Sequence, residues 1–301
     1  MKSVILITAI VIIIGCGFIL SRTQYFSDRN KSSVTYSQEN KEEYIIPLHQ
    51  TFFDSKYFNS AIISAKQNSS IQGVKAIIIP HHLIAAEIMA NILSQTKRDN
   101  INNIVIIGPN HEDNNATTIT SAYVKWQTPL GQMQTNNNLV NKFLSDLKLH
   151  NYPFPFLKEH SVGAVIPFIE NYYPQAKIIP ILFNSTASLS DAQDVASWLN
   201  NNLDENTLVV FSLDFSHYLQ EHEAGIKDEI TKSFILSRDV NSIISLSSGY
   251  VDSPATLATA IMYADYQNLE IKIIDEKNSN DFLEQPSAET TSYFSIIFKK
   301  K

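Results

Sequence analysis

The stretch "VKAIIIPHHLIAAEIMANILSQTKRDNINNIVIIG" (residues 74–108) decides the fold. A β-branched apolar run, 74–80, ends at a proline, and residues 83–97 then place apolar side chains at helical spacing. A second apolar run follows at 104–108. Strand, helix and strand in such close succession form a βαβ unit. Its parallel strands are buried on both faces and therefore read as continuous apolar runs.

The pattern repeats downstream. "KIIPILF" (177–183) and "TLVVFSL" (207–213) enclose a helical "SDAQDVASWLNNNL" (190–203), with Ser190 as its expected N-cap. A helical stretch over 221–246 precedes two closing strands, "LEIKIID" (269–275) and "TSYFSIIF" (291–298). No internal repeat or composition break divides this part of the chain. The expectation is one α/β domain over 45–301, with a mostly parallel central sheet flanked by helices.

The residues before it differ in kind. Val4 to Leu20 is an apolar run with Thr8 as its polar interruption, at about 1.5 Å per residue close to the minimum for a membrane span. Residues 1–21 thus read as a signal-anchor. "IIGC" at 13–16 also fits a bacterial lipoprotein signal with Cys16 lipidated. Residues 22–44 are polar and read as a linker. Both readings tether the domain to a membrane. An export-type segment favours the extracytoplasmic face, whereas Arg22, Arg29 and Lys31 set against Lys2 favour the cytoplasmic one.

Composition removes several function classes. A net charge of −7 and the lack of a clustered basic face argue against a nucleic-acid partner. Cys16 is the single cysteine, so the domain has no disulfide, thiolate ligand or cysteine nucleophile. "HEDNN" at 111–115 lacks the second histidine of a zinc-protease motif, and no G-x-S-x-G, Walker or G-x-G-x-x-G sequence occurs.

In parallel sheets, ligands bind beyond the carboxyl ends of the strands. There "IIIPHH" delivers His81 and His82, "IVIIGPNH" delivers Asn110 and His111, and "VVFSLDFSH" delivers Asp214 and His217. Each histidine alone has a structural reading as a hydrogen-bonded turn residue, and Asp214 has one as a helix cap. Two histidines leaving their strands by the same proline-containing device suggest a shared metal site. Asp214 beside His217 suits a general base with its orienting partner. Glu159 and His160, in "KEHS" (158–161), are either pocket residues or a solvated pair. His49, His150 and His222 lack supporting neighbours and read as structural or surface residues.

The ordered set "IIPHH" (78–82), "VIIGPNH" (105–111), "WQTPLGQMQTN" (126–136), "KEHSVGAVIPFI" (158–169), "IIPILF" (178–183) and "FSLDFSHY" (211–218) resembles the Memo-like family. Its bacterial members are called AmmeMemoRadiSam system protein B, and the family is similar in fold to class III extradiol dioxygenases. The resemblance implies His81 and His111 as metal ligands, with Asp214 and His217 lining the same pocket; His82, Asn110, Glu159 and His160 are expected to lie around it. It also implies a cysteine as third ligand, where "YVDSPATLATAIMY" (250–263) carries Asp252. A second departure follows "EHS": Gly163 and Val165 stand where the family carries a glutamate and a histidine.

Asp252 has two readings, as a ligand or as the cap of a helix opening at Ser253 and Pro254. As a ligand it completes a set of two histidines and one carboxylate, which favours Fe(II), with Zn(II), Mn(II) or copper as other occupants. The expected function is a membrane-tethered metal protein performing redox chemistry on a small substrate, with Asp214 and His217 catalytic. The alternative is a non-catalytic binding or scaffold domain with an eroded pocket. A metal-dependent hydrolase using the same pair ranks third.

Overall fold

The computed structural model describes residues 43–47, 52–65, 70–112 and 117–301. The expected signal or anchor (1–21), most of the expected linker, His49 and the end of the "HEDNN" stretch lie outside the described residues. In chain order the elements are β1 (Tyr44–Pro47), α1 (Ser55–Ala65), β2 (Val74–Ile79), α2 (Ala86–Gln95), β3 (Asn103–Pro109), β4 (Ile119–Ser121), β5 (Val124–Gln127), β6 (Gln132–Met133), α3 (Asn137–Asp146), α4 (His160–Gly163), α5 (Ile166–Tyr172) and β7 (Lys177–Phe183). They continue with α6 (Leu189–Asn202), β8 (Thr207–Ser212), α7 (Glu221–Ser237), α8 (Val240–Ile244), α9 (Pro254–Tyr266), β9 (Glu270–Asn278) and β10 (Ser292–Lys299).

Seven strands form one sheet in the order β4, β7, β3, β8, β2, β10, β9. The four central strands, β7, β3, β8 and β2, are parallel, as the βαβ reading requires. The edges are not: β4 runs antiparallel to β7, and β10 runs antiparallel to both β2 and β9. The sheet is therefore mixed rather than mostly parallel. A parallel neighbour needs a crossover connection, and β9 reaches β10 through a 3₁₀ turn at Ser279–Phe282 without one. β1, β5 and β6 make a separate small sheet.

Alternate side chains of each central strand serve opposite faces. Ile78, Val105, Ile107, Val209 and Phe211 face α6 and α9, packing with Val195, Leu199, Leu257 and Ile261. Ile77, Ile79, Ile104, Ile106 and Val210 face α1, α2 and α5, packing with Phe58, Met89, Leu93, Ile166 and Ile169. Burial on both faces explains why these strands carry no polar alternation.

Two helix boundaries differ from expectation. α6 is capped by Ser188, not Ser190: Ser188 Oγ accepts from Asp191 N (3.2 Å), and Asp191 Oδ2 accepts from Ser188 N (2.7 Å). The reciprocal pair outcompetes a lone serine two residues on. The helical stretch at 221–246 is interrupted at Arg238, whose left-handed backbone (φ 59°) ends α7 before Asp239 caps α8.

Candidate metal centre

β8 lies between β2 and β3, so three neighbouring strands deliver their ends to one edge. Pro80 stops β2, and the backbone N–H of His81 donates to Asp214 Oδ1 (3.1 Å) just beyond β8. His81 is 2% exposed. Its Nδ1 lies 3.1 Å from Ser212 Oγ, whose hydroxyl donates to the Ser161 carbonyl (2.5 Å). Ser212 thus has no proton left for His81 and can only accept. Nδ1 carries the hydrogen, and the Nε2 lone pair faces Asp252 Oδ2 at 3.3 Å and Asp214 Oδ2 at 3.6 Å.

His111 follows β3 by the same logic. Glu159, with a side chain fully enclosed, accepts from the His111 backbone N–H (2.6 Å) and binds its Nδ1 (2.8 Å), leaving Nε2 4.0 Å from Asp252 Oδ2. Glu159 also accepts from Ser161 N and so caps α4. This helix approaches β3 closely because residue 108 is glycine: a Cβ there would come within 2.7 Å of Ser161 Oγ.

His160 opens α4 and stacks on His111 with ring centroids 4.2 Å apart; the His81 ring is 5.0 Å away. One ligand-capable atom from each of His81, His111 and His160 lies within 4.8 Å of the others. His160 therefore lines the cavity and joins the residues that could hold a metal, while Glu159 is buried behind His111 rather than solvated.

The helix-cap reading of Asp252 fails. Ser253 caps α9, its hydroxyl accepting from Thr256 N, while Asp252 Oδ2 accepts from Asp214 N (3.0 Å). Asp252 Oδ1 is buried with no hydrogen-bond partner. Asp214 and His217 line the same cavity, yet they do not pair: the Asp214 carboxylate turns toward His81, and His217 Nδ1 is buried without a partner. His82 binds the Tyr293 hydroxyl through Nδ1 (2.7 Å). Asn110 is 4% exposed, and neither side-chain amide atom has a partner.

The departure at Gly163 has a physical counterpart. The Phe52 ring packs against the α4 backbone there, so that a Cβ on Gly163 would meet it at 2.6 Å, and its centroid lies 6.2 Å from that of His160. An aromatic ring from outside the quoted motifs thus packs against α4 at this position, beside His160.

Electrostatics follow from burial. Enclosure, reinforced by neighbouring imidazoles, keeps His81 neutral, well below its ordinary value. It brings His160 and His217 each down to about 4, with His111 adding to both shifts. Burial also depresses His111, but the hydrogen bond and charge of Glu159, with Asp252 and Asp214, outweigh it and raise the net value. Burial pushes Asp214 up to about 7, and burial with the charge of Asp214 pushes Asp252 well above the carboxylate range. Without a cation, this cluster must hold protons to limit its negative charge.

The donor set fits a divalent cation. Two atoms bound to one ion at about 2.0–2.2 Å sit about 3–3.5 Å apart, and His81 Nε2 to Asp252 Oδ2 is 3.3 Å. Both His81 and His111 have Nδ1 engaged, which orients Nε2 as the donor. The cavity beside them is about 400 Å³.

The fold and site define an α/β protein with a histidine- and carboxylate-lined pocket at its strand ends. The profile of the Memo-like protein family matches residues 48–296, and the chain belongs to that family. A "MEMO1 family protein" from Caldivirga maquilingensis is 28% identical over 250 residues, covering 79% of this chain and 87% of the relative. The "MEMO1 family protein PAE0818" of Pyrobaculum aerophilum is 29% identical over 204 residues, covering 64% and 71%. Among solved structures, the uncharacterized protein JW3007 from Escherichia coli K12 aligns with a TM-score of 0.48 at 14% identity, over 73% of this chain and 99% of that one.

Ser161 and Ser212 were not singled out from sequence. Ser212 carried a signal, as the polar residue that follows the apolar run 208–211 directly before Leu213 and Asp214.

Proposed function

We propose that this protein is a metal-dependent oxidoreductase that holds Fe(II) through His81, His111 and Asp252, with His160 positioned to complete the set, and acts on a small substrate in the adjoining cavity. The observation that carries this reading is the convergence of three imidazoles on one point, two of them with Nδ1 already engaged. Two imidazoles and a carboxylate hold Fe(II) while leaving positions open for oxygen and substrate. Asp214, pushed up to about 7 by burial, is suited to take or give a proton at its carboxyl, and His217, kept neutral by burial, offers a ring nitrogen to substrate.

Metal analysis of protein purified without oxygen tests the proposal. Wild-type protein retains stoichiometric iron, and the His81→Ala/His111→Ala double variant loses it. Wild type free of iron, zinc and copper, or a double variant that keeps its metal, defeats it.

The same proposal keeps the domain at a membrane through Val4–Leu20, on the extracytoplasmic face. Among the described residues no helix is long and apolar enough to cross a membrane, so the tether rests on sequence. Protease accessibility in intact spheroplasts decides the side. The scaffold alternative draws on the absence of polar side chains at Gly163 and Val165, where the Phe52 ring packs against the Gly163 backbone. It requires that replacing His81 and Asp214 leave partner binding intact.

A further inference from the structure

A second chamber of about 470 Å³ opens off the metal centre, sharing His111, Ser248 and Asp252 with the first. It lies between the ends of β3 and β7 on one side and the start of α9, with the segment after α8, on the other. Apart from His111 and Asp252, none of its lining side chains carries a charge. Phe183, Ile244, Leu246 and Pro254 supply apolar surface, interspersed with serines and two asparagines.

The two asparagines differ. Asn184 is satisfied within the fold, its amide donating to the Thr117 carbonyl and accepting from Thr186. Asn110 is not. Its backbone N–H is anchored to the Phe183 carbonyl (2.7 Å), yet both side-chain amide atoms are buried and unpartnered. Buried amides are rarely left so, and an apolar residue of similar size would serve the fold better. Asn110 borders the chamber, but its amide is closed off from that space as well as from the protein's own donors and acceptors; a turn of this side chain toward a ligand in the chamber would satisfy it.

We infer that this chamber takes the uncharged tail of a substrate whose reacting head sits at the metal centre, and that the Asn110 side chain turns into the chamber to recognise an amide group in that tail. The inference rests on the metal-centre reading above. An asparagine side chain offers a coplanar donor and acceptor, and another amide is its direct complement. A carboxylate, phosphate or ammonium tail would be desolvated here without a counter-charge of its own.

Three hydroxamates test it by calorimetry on the full chain loaded with Zn(II): acetohydroxamic acid, which has no tail, and the hydroxamates of hexanoic acid and N-acetylalanine. All three chelate the metal through the same head. The N-acetylalanine compound is expected to bind about tenfold tighter than the hexanoic one, since a site built to hydrogen-bond discriminates against a ligand lacking the partner. Asn110→Leu is expected to abolish that preference while holding or raising the melting temperature, a pairing that a structural role for the amide would not produce. Asn110→Ala gives the same reading without added bulk should the leucine variant fold poorly. Equal affinity of the two tailed compounds for wild type, or a preference that survives both substitutions, overturns the inference while leaving the metal centre standing. Failure of the protein to take up zinc, or of acetohydroxamic acid to bind the loaded protein, overturns the metal-centre reading and this one with it.

Discussion

His81 Nδ1 lies 3.1 Å from Ser212 Oγ, and the one hydroxyl proton of Ser212 is committed to the Ser161 carbonyl. The tautomer of a candidate ligand is thus dictated by a backbone carbonyl two hydrogen bonds away. Ser212→Ala removes this constraint without touching the pocket surface. The expected outcome is a fall of about 10- to 100-fold in Zn(II) affinity, read by competition with a chromophoric chelator, with the circular dichroism spectrum unaltered. Unchanged affinity would separate the Ser212 contact from metal binding.

In the proposed site, the metal preference should turn on Asp252. Asp252→Asn keeps the size and the acceptor for Asp214 N but removes the charge, and should weaken Fe(II) and Zn(II) binding by more than about tenfold. Asp252→Cys exchanges a hard donor for a soft one and should move the preference toward Cu(I). If Asp252→Asn binds both ions as wild type does, His160 is the third ligand and Asp252 a neighbour.

Gly163 is held by proximity rather than by backbone conformation, because its missing Cβ would stand 2.6 Å from the Phe52 ring. Gly163→Ala should cost about 1–3 kcal/mol of stability in denaturant titration, as overpacked sites do. The displaced ring would also disturb the neighbouring His160, visible as a shift of its imidazole resonances. An alanine variant as stable as wild type would mean that Phe52 moves freely.

The capping box of α6 carries a pH signature. Burial works against the charge of Asp191, but bonds from Ser188 and Thr118 outweigh it and hold the carboxyl below its ordinary value of 3.8. A depressed carboxylate contributes stability above its unfolded value and loses it as pH falls through its folded one. Asp191→Asn should therefore lower stability by about 0.3–1 kcal/mol at neutral pH, and the gap to wild type should close below about pH 4. Parallel melting curves across that range check the sign.

The central sheet was legible because double burial leaves long β-branched runs, and Pro80 and Pro109 punctuate the strand ends. β4, β5 and β6 are two to four residues long and leave no periodic trace, and the antiparallel edge at β9 and β10 depends on the absence of a crossover helix. His81, His111 and Asp214 could be read as candidates because strand order brings their segments together. His160 could be placed in the pocket only through its motif, since its orientation comes from Glu159 and the α4 turn. The packing of Phe52 on Gly163 was invisible, because nothing in the local pattern near residue 52 or residue 163 signals their contact.

Because β8 separates β2 from β3, the backbones carrying His81 and His111 stand two strand spacings apart, about 9.5 Å. That interval is set by the sheet's hydrogen-bond lattice and cannot adjust without breaking ladder bonds on both sides of β8. The segments carrying His160 and Asp252 are tied to the same strand ends, Ser212 donating to the Ser161 carbonyl and Asp214 N to Asp252. In the proposed site, ions of different radius should therefore be accommodated by rotation of side chains, with the strands unmoved.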